Sequence, residues 1–551
     1  MLKKISHAGG VTDTDEVLFA TAFGYLFPEL ARSPRALLQE GQDTVRELLE
    51  LGEAMAVDTG KPPKDSEIPS VFTYLGQFID HDLTARTDRE TTASEVFAPD
   101  GGSLPIKPRS PEEIVTTLKN GRRPQLDLDS AYGDGPSFLY QNGEPAPGSS
   151  TVAQDLYDSD LKFRLQSYKT KSIIDLHRPR SNQDHPRPND RMALISDMRN
   201  DENVNVSQLH AAFLAFHNAI MDGLEMENKS RRSKKFSLTQ RFAQARQYVR
   251  WTYQYIVVEQ YLRTVCIPEV VIDVKRNGPA FYGPVSGGLP LFMPLEFSVA
   301  GFRFGHSMIR PSYKLRGAER RVETLLDVSS SEKEEKDRLL RFNRSGPDAW
   351  RLEEKFTVNW KDFVGANPAN KARPIDSLLA AGLGQLPGMG GLTVMAHLAK
   401  RNLIRGFSLN IPTGQAVAAA FGVVPLTPKE IRDAESDGIG NVLDKTSFME
   451  RTPLWYYILR ESAVQCGGNS LGVIGSHIVA ETIIGLLKKD PNSYLNQYGV
   501  ARNISKDGIE VPTKDGRVCV GSIEGLLHVA GVFPEGRTAV KQVKPRRRLG
   551  S

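Results

Sequence analysis

The chain has 551 residues, of which 40% are hydrophobic and 25% are charged, with a formal net charge of +4. This is the composition of an ordinary globular protein, and so small a net charge gives no indication of a nucleic-acid partner. The three cysteines, Cys266, Cys466 and Cys519, are widely spaced, which argues against a disulfide framework and against a thiolate metal site.

No run approaches the ~18 apolar residues that a membrane span requires. The N-terminal residues MLKKISHAGG are not followed by an apolar run of signal-peptide length. The sequence therefore predicts no membrane span, and either a cytoplasmic location or export by a non-classical route. We expect a monomer.

Helical periodicity predominates along the chain. Residues 71–88, VFTYLGQFIDHDLTARTD, form the first clear apolar stripe. Residues 85–190 are instead rich in Pro, Gly, Asp and Ser, which indicates long loops that carry function or are tied down. Further helices are predicted over 205–226, 237–266 and 468–490, with a short capped helix at TPKEIRDAE near residue 427.

Strand signals are few and short, and neither an internal repeat nor a clean linker is visible. The predicted fold class is therefore mainly α, with one large domain over 1–551, long loops and little β-structure. The core is expected to run from about residue 20 to 535. Residues 536–551, which contain Lys541, Lys544 and Arg546 to Arg548, are expected to form a basic, solvated tail.

The helix predicted at 71–88 carries polar residues among its apolar ones. Gln77 and His81 lie four residues apart and share one face, which Asp80 flanks, while Asp82 points elsewhere. An imidazole beside an amide suits proton transfer to a small bound molecule. A buried structural histidine is an alternative. So is the His–Asp metal site of a phosphohydrolase, although no convincing set of further ligands is found.

The loop-rich region contains RRPQLDLDSAYGDG, in which Asp127 and Asp129 alternate with apolar residues. Their carboxylates can converge with backbone carbonyls on a hard cation, and Ca²⁺ accepts many oxygen ligands in irregular loops. Such a site would explain how this part of the chain is held. The alternative is a solvated acidic turn.

The run DMRNDEN places Arg199, Asp201 and Glu202 directly before the helix predicted at 205–226. Acidic residues at a helix N-terminus have a general explanation, stabilisation by the helix dipole. The arginine is harder to explain in that way, because a fixed guanidinium is a donor suited to an oxyanion or a peroxide oxygen. Within the helix, His217 is interpreted as a buried structural histidine.

Two later passages add a histidine and a potential partner for it. In FRFGHSMIRP, His306 follows Arg303 in an apolar segment, as a proximal haem ligand would. Read alone, it is better explained as a core histidine. In RNLIRGFSLNIP, Asn402 and Arg405 lie three residues apart. The amide can accept an imidazole N–H, and the guanidinium can bind an anionic group.

Taken together and in this order, these passages resemble the animal-type haem peroxidases of the peroxidase–cyclooxygenase superfamily, in particular its bacterial members. The matching strings are GQFIDHDLT, LDLDSAYG, DMRNDEN followed by SQLHAAFLAFHN, FRFGHSMIRP and RNLIRGFSLNIP. They span residues 76 to about 412, and the helical part to about residue 535 fits the family's character. The resemblance implies a haem-peroxidase domain that binds haem b.

The resemblance also implies roles for individual residues. His81 would be the distal histidine, with Gln77 beside it, and Arg199 the distal arginine. His306 would be the axial ligand of the haem iron. The other implied cofactor-binding residues are Asn402 as the partner of His306, Arg405 at a propionate, Arg303, and Asp80 and Glu202, which match carboxylates that form ester bonds to haem in mammalian members.

A calcium ion is implied as well. Its ligands would be the side chains of Asp82, Asp127 and Asp129, together with backbone oxygens of the loop from Arg123 to Gln125. The metal would clamp this loop to the helix that carries His81.

Three positions depart from the family pattern. Asn203 stands where one mammalian member has a methionine with a sulfonium link to haem, so that link should be absent. Arg123 stands near where members often offer a hydroxyl to calcium. Arg303 stands where the cyclooxygenase branch has its radical tyrosine, which favours peroxidase over fatty-acid oxygenase chemistry.

The implied reaction is reduction of hydrogen peroxide, through a ferryl intermediate, with oxidation of a small donor such as a halide, thiocyanate or a phenolic compound. Three alternatives stay open: a fatty-acid dioxygenase of the same superfamily, a non-catalytic, peroxidase-like binding protein, and the metal-dependent phosphohydrolase suggested by His81 and Asp82. The identity of the donor depends on the shape of the access channel, which the sequence does not determine.

Overall fold

The computed structural model describes residues 21–56, 64–85, 106–133, 135–136, 156–178, 193–231, 235–283, 291–317, 319–321, 352, 354–384 and 393–543. In these ranges helices predominate and the strands are short, which confirms the predicted mainly α fold with little β-structure.

The longer helices are α1 (Gln42–Met55), α2 (Val71–Leu83), α3 (Val204–Ser230), α4 (Leu238–Ile256), α5 (Pro268–Asn277), α6 (Leu398–Ser408), α7 (Leu454–Cys466) and α8 (Val473–Lys489). Shorter α-helical segments are Pro28–Ala31, Pro111–Thr117, Asp129–Tyr132, Leu262–Val265, Leu295–Val299, Thr393–Ala396, Gly414–Ala420, Pro428–Arg432, Asp437–Leu443, Tyr494–Gln497 and Ile523–Val529. The 3₁₀ segments are Met198–Asp201, Gly301–His306, Glu354–Phe356, Trp360–Asp362, Ala381–Gly384, Ser447–Met449 and Pro534–Ala539.

The strands form small separate sheets among the described residues. They are β1 (Thr21–Gly24), β2 (Lys119–Asn120), β3 (Leu165–Ser167), β4 (Ile174–Leu176), β5 (Phe292–Pro294), β6 (Ser312–Lys314), β7 (Glu319–Arg321), β8 (Ile504–Ser505), β9 (Gly508–Thr513), β10 (Gly516–Val520) and β11 (Val540–Gln542). One sheet has the order β2-β1-β5, with β5 parallel to β1, and another has the antiparallel order β11-β10-β9-β8. The pairs β3–β4 and β6–β7 stand alone.

The predicted helices are present, with local differences at their ends. The predicted helix 237–266 begins at the capping box of Ser237 and Gln240, but a π-helical segment, Val257–Tyr261, interrupts it. The predicted helix 468–490 begins only at Val473. Gly468 has a φ of +76°, a left-handed conformation that an α-helix does not continue through.

Helix α2 lies inside the core rather than on its surface. Phe78 is fully buried and stacks on Phe213 of α3, with ring centroids 4.7 Å apart. On another side Gly76 meets Tyr261, and an added Cβ at Gly76 would lie 2.6 Å from the Tyr261 hydroxyl. A larger residue at position 76 would therefore require the Tyr261 side chain or this helix to shift.

The C-terminal end of α2 is held by the small sheet. Asn120 of β2 is fully buried; its Nδ2 donates to the Leu83 carbonyl at 2.8 Å, and its Oδ1 accepts from the Ala85 N–H at 2.9 Å. These bonds satisfy backbone groups that a buried helix end would otherwise leave unpaired. The last turn of α2, which contains Asp80, His81 and Asp82, is thus fixed at its C-terminal end as well as along its length.

Two predictions concern the long loops and the C-terminal tail. Much of 85–190 lies outside the described residues, and its described parts contain short elements such as Pro111–Thr117 and the β3–β4 hairpin. The predicted end of the core at residue 535 needs correction, because Val540–Gln542 pairs with β10 as β11. Residues 544–551 lie outside the described residues.

No helix in the described ranges is both long enough and apolar enough to cross a bilayer.

Candidate active site

His81 is 1% exposed, and one hydrogen bond orients its ring. Nδ1 donates to the Oδ1 atom of Asn200 at 2.8 Å. An amide oxygen can only accept a hydrogen bond, so this contact assigns the proton to Nδ1 and the lone pair to Nε2. In this tautomer the Nε2 atom can take a proton from a bound molecule, which is the geometry that a general base requires.

Arg199 lies beside this histidine and is held by a buried carboxylate. Its Nε and Nη2 atoms donate to Asp197 at 3.0 and 2.7 Å, and Nη2 also donates to the His81 carbonyl at 2.9 Å. In the described part of the chain no hydrogen bond occupies Nη1. The structure therefore brings together His81 and Arg199, which the sequence separates by more than a hundred residues.

Gln77 lies one turn before His81 and is half-buried. Its Oε1 atom accepts a hydrogen bond from the Nδ2 atom of Asn203 at 3.1 Å. The Oδ1 atom of the same Asn203 accepts from the Val206 N–H at 3.0 Å and caps α3. The Asn203 amide thus donates through its nitrogen and accepts through its oxygen. It links Gln77 to the segment that carries Arg199 and the half-buried Glu202.

The second predicted histidine, His306, ends the 3₁₀ segment Gly301–His306 and is half-buried. Its Nδ1 atom lies 2.9 Å from the amide of Asn402 on α6, as predicted. The Trp455 ring of α7 lies edge-on to the imidazole, with centroids 6.5 Å apart, and its Nε1 donates to the Arg303 carbonyl at 3.2 Å. Arg405, one turn after Asn402, is 6% exposed.

An ion pair joins the two histidine-bearing segments. Asp80, next to His81, accepts from the Nη1 atom of Arg303 at 3.4 Å, and Thr84 donates to its other oxygen at 2.9 Å. Arg303, three residues before His306, also donates from Nε to the Ser298 carbonyl at 2.8 Å. Since both ends of the pair are buried, α2 and the 3₁₀ segment are held against each other at this point.

Three buried carboxylates form a separate cluster on the other side of α2. One oxygen from each of Asp82, Asp127 and Asp129 lies within 4.8 Å of the others. Burial first, and then repulsion by neighbouring carboxylates, raises the pKa of Asp82 to about 6 and that of Asp129 well above its usual range. The Oδ1 atoms of Asp127 and Asp129 are buried without a hydrogen-bond partner among the described residues. Such a set of oxygens fits a hard cation.

The loop that supplies two of these carboxylates is bound to α2 through Asp82. The N–H groups of Leu128 and Ser130 and the Ser130 hydroxyl donate to the Asp82 carboxylate at 3.2, 3.3 and 3.1 Å. Leu126 and Leu128 have φ values of +49° and +61°, a conformation that costs energy in a non-glycine residue and needs outside support.

Arg123 and Gln125, which the sequence analysis proposed as backbone ligands, lie in the same loop. The Gln125 N–H donates to the Arg123 carbonyl at 2.9 Å. The Arg123 side chain pairs with Asp127 at 3.2 Å, a contact that was not predicted. Backbone ligation by these two residues stays a prediction.

Comparison with known families agrees with this arrangement. The sequence model described as animal haem peroxidase matches residues 53–347, which is more than half of the chain. The chain belongs to the animal haem peroxidase family. The match includes His81, the three carboxylates, Arg199 and His306 but ends before Asn402. Membership in the superfamily is thereby confirmed, whereas the bacterial type stays a prediction.

A solved structure shows the same fold as this animal haem peroxidase. Peroxidase A from Dictyostelium discoideum is 17% identical, with a TM-score of 0.52, and the match covers 82% of this chain and 86% of that one. Fatty acid alpha-dioxygenases from Arabidopsis thaliana and Oryza sativa match over 89% of this chain and 74% and 77% of theirs, at 13% and 14% identity and TM-scores of 0.49. The likeness to peroxidase A, at 17% identity, shows a fold and not an activity. No curated protein matches the chain.

Haem binding follows from family membership, and the residues present fit a haem. With Nδ1 of His306 engaged by Asn402, its Nε2 is the nitrogen suited to iron. If His306 held the iron through Nε2, its proton would lie on Nδ1, and the Asn402 amide, turned by 180°, would offer Oδ1 as the acceptor. An added Cβ at Gly305 would meet no heavy atom of the described residues within 4 Å, so the backbone beside His306 borders open space.

Several functional contacts were not foreseen from the sequence. Asn200 orients His81, Asp197 holds Arg199, and Trp455 packs beside His306. Asn200 and Asp197 both lie within the quoted DMRNDEN string, so the motif itself was the available signal. Trp455 lies about 150 residues after His306, and no spacing rule connects the two.

Proposed function

We propose that this animal haem peroxidase is an active, haem-dependent peroxidase that reduces hydrogen peroxide and oxidises small donors. The observation that supports this most directly is the joint placement of His81 and Arg199. The imidazole has its lone pair on Nε2, and the guanidinium is bonded to the backbone of the same histidine. A non-catalytic binding protein would have no need for a buried base and a buried, oriented cation side by side.

Each residue has a role in the proposed reaction that follows from its chemistry. Haem bound through His306 supplies the iron at which the peroxide is reduced. His81 takes a proton from one peroxide oxygen at Nε2 and returns it to the other. The Arg199 guanidinium stabilises the negative charge that develops on the departing oxygen. Gln77, fixed by Asn203, positions the bound molecule, and Asn402 sets the tautomer and basicity of His306.

The donors that we propose are a halide, thiocyanate or a small phenol. Arg303 supports this assignment over lipid oxygenation, because its guanidinium is bound to Asp80 and to the Ser298 carbonyl and has no oxidisable hydroxyl. Arg405, whose always-charged guanidinium is buried, is assigned to a haem propionate.

An absorption spectrum followed by peroxide addition tests the proposal. We expect a Soret band in the purified protein, its rapid change on addition of hydrogen peroxide, and peroxide-dependent oxidation of iodide or guaiacol. Oxygen uptake with an unsaturated fatty acid, without peroxide turnover of small donors, would instead establish a dioxygenase. A protein without a Soret band, even after reconstitution with haem, would be a binding protein.

We propose Asp80 and Glu202 as the carboxylates available for ester bonds to haem. An ester is uncharged, so a bond at Asp80 would remove the counter-ion of Arg303. Glu202 directly follows the segment Met198–Asp201 and is half-buried. Acidic organic extraction before and after peroxide treatment measures the linkage, and full extraction of haem after turnover would exclude both esters.

We further propose that Asp82, Asp127 and Asp129 bind Ca²⁺, with backbone oxygens between Arg123 and Gln125 completing the site. Three carboxylates share one buried region with two guanidinium groups, Arg122 and Arg123. Two of the carboxylate oxygens have no hydrogen-bond partner in the part of the chain that the structure describes. A divalent cation would offset this repulsion and hold the strained loop against α2.

Chelation of this calcium is expected to lower the stability of the folded protein. Ligand at a hundred times its dissociation constant stabilises a protein by about 2.7 kcal/mol, so EGTA should lower Tm by several degrees. Asp82→Asn should bind no calcium and should be insensitive to EGTA, while the exposed control Asp160→Asn should behave as wild type. Calorimetry with elemental analysis measures both quantities. A metal-free wild type with the same Tm would contradict the site.

A further inference from the structure

A series of buried charged side chains connects the carboxylate cluster, which consists of Asp82, Asp127 and Asp129, to Arg199. Asp197 is fully buried and accepts hydrogen bonds from two guanidinium groups, those of Arg199 and Arg122. Arg122, 1% exposed, also lies 3.6 Å from Asp129 of the cluster. The order of contacts is therefore Asp129, Arg122, Asp197, Arg199.

We propose that Asp197 and Arg122 are positioning residues that orient Arg199 and couple its orientation to cation binding at the carboxylate cluster. The proposal rests on the peroxidase function proposed above. Neither residue is assigned a contact with peroxide or haem, so each acts through Arg199.

The contacts of Arg199 show why Asp197 controls its direction. An arginine side chain has several rotatable bonds, and its ordering has an entropic cost that fixed partners must offset. Asp197 accepts from the Arg199 backbone N–H at 3.0 Å as well as from Nε and Nη2, and the His81 carbonyl accepts from Nη2. The guanidinium plane is thus fixed on one side, which directs Nη1 away from Asp197.

The contacts of Asp197 and Arg122, at the other end of this series of charged side chains, explain the coupling. Burial would raise the pKa of Asp197, but Arg199 and Arg122 outweigh it and hold that pKa well below its usual range, so the carboxylate stays charged. Arg122 has two acidic neighbours, Asp197 in direct contact and Asp129 farther away. With a cation at the cluster, the charge of Asp129 is offset and Arg122 stays on Asp197. Without the cation, Arg122 is shared between the two neighbouring carboxyl groups, and any shift of Arg122 toward Asp129 weakens the support of Arg199.

The first experiment is Asp197→Asn in the haem-loaded protein, with Asp201→Asn as the matched control. Asp201 lies in the same turn and pairs with the buried Arg178 through two bonds of 2.6 and 2.7 Å, but it does not contact Arg199. We expect Asp197→Asn to slow peroxide activation and cyanide binding by about 10–100-fold, the usual effect of losing an orienting partner. Asp201→Asn should lower Tm and leave both rates near wild type.

A double variant separates positioning from general damage. In an Arg199→Gln background, Asp197→Asn should have no further effect on cyanide binding, because both changes remove the same oriented donor. Additive losses would show that Asp197 acts by another route and would overturn the positioning role. If Asp197→Asn does not fold, Asp197→Glu keeps the charge and displaces the carboxylate by one methylene. Wild-type rates in that variant would also overturn the role.

The coupling has a readout that needs no haem. Thermodynamic reciprocity requires that, if the cation supports Asp197, Asp197 supports cation binding. Calorimetric titration of the apoprotein with Ca²⁺ should therefore show an affinity about 5- to 100-fold lower in Asp197→Asn than in wild type, and unchanged in Asp201→Asn. Equal affinities, or no calcium binding by the wild type, would overturn the coupling.

The outcomes also separate this proposal from the peroxidase function. A wild type that has no haem or does not react with peroxide contradicts the function itself. A wild type that reacts normally, with an equally reactive Asp197→Asn, contradicts only the positioning role. Arg122→Lys keeps the positive charge but loses the fork of donors, and we expect it to show a smaller loss of cyanide-binding rate than Asp197→Asn.

Discussion

His81→Ala is expected to slow the reaction of the haem-loaded protein with hydrogen peroxide by about 10²–10⁴-fold, the usual contribution of a positioned acid–base residue. The expectation follows from the Nδ1 contact with Asn200, which leaves the lone pair on Nε2. Haem binding should be largely retained, because His306, the proposed iron ligand, belongs to a different segment. Stopped-flow absorbance at the Soret band measures the rate.

His217→Ala is the matched control for this change. It deletes a second buried imidazole, whose Nδ1 shares a hydrogen bond of 2.9 Å with the Tyr132 hydroxyl, away from Arg199 and His306. It should lower stability and leave the peroxide rate near wild type. Loss of haem from His81→Ala, with unchanged peroxide kinetics in the haem that remains, would count against a base at position 81.

His306→Ala is expected to remove tight haem binding. Loss of an orienting partner alone reduces affinity by about 10–100-fold, and loss of the axial ligand itself should exceed that range. Titration of the apoprotein with haemin, followed at the Soret band, measures the affinity. If ester bonds have formed, some haem will stay attached in the variant but with an altered spectrum, and acidic extraction distinguishes this case.

Imidazole provides the specificity control. Added imidazole should restore a wild-type-like spectrum to His306→Gly, because the small ligand fills the site of the missing side chain. His528→Ala, which removes a half-buried ring whose Nδ1 lies 3.4 Å from the Phe533 carbonyl, should bind haem normally. Stoichiometric haem with an unchanged spectrum in His306→Ala would mean that another residue is the axial ligand.

Most of the helices could be predicted because their signals are local. The capping boxes at Ser237 and Thr427 and the apolar stripe of α2 lie within single turns or helices. The π segment Val257–Tyr261 has no comparable local signal, since it depends on how α4 packs against its neighbours. The end of the core was placed too early because β11 is stabilised by pairing with β10, a contact that composition does not reveal.

Helical geometry and the family resemblance together predicted a separate role for each polar residue of GQFIDHDLT. Asp82 indeed lies with Asp127 and Asp129, and Asp80 reaches a different partner from Asp82. The partner of Asp80 could not be predicted, because Arg303 comes from a segment more than two hundred residues away. Similarly, the resemblance named Arg199, but the two acceptors that orient it became visible only in the folded chain.

The sequence by itself therefore determined which polar residues are proposed for the site and most of the helices that carry them. A helical repeat places Gln77 and His81 on one face wherever the helix lies. The tertiary structure alone decided which tautomer His81 adopts and which carboxylate holds Arg199. It also decided which arginine connects that carboxylate to the carboxylate cluster. These properties depend on hydrogen bonds and ion pairs between distant segments. Their strength is set by burial and by angstrom-scale distances, which only the packed core establishes.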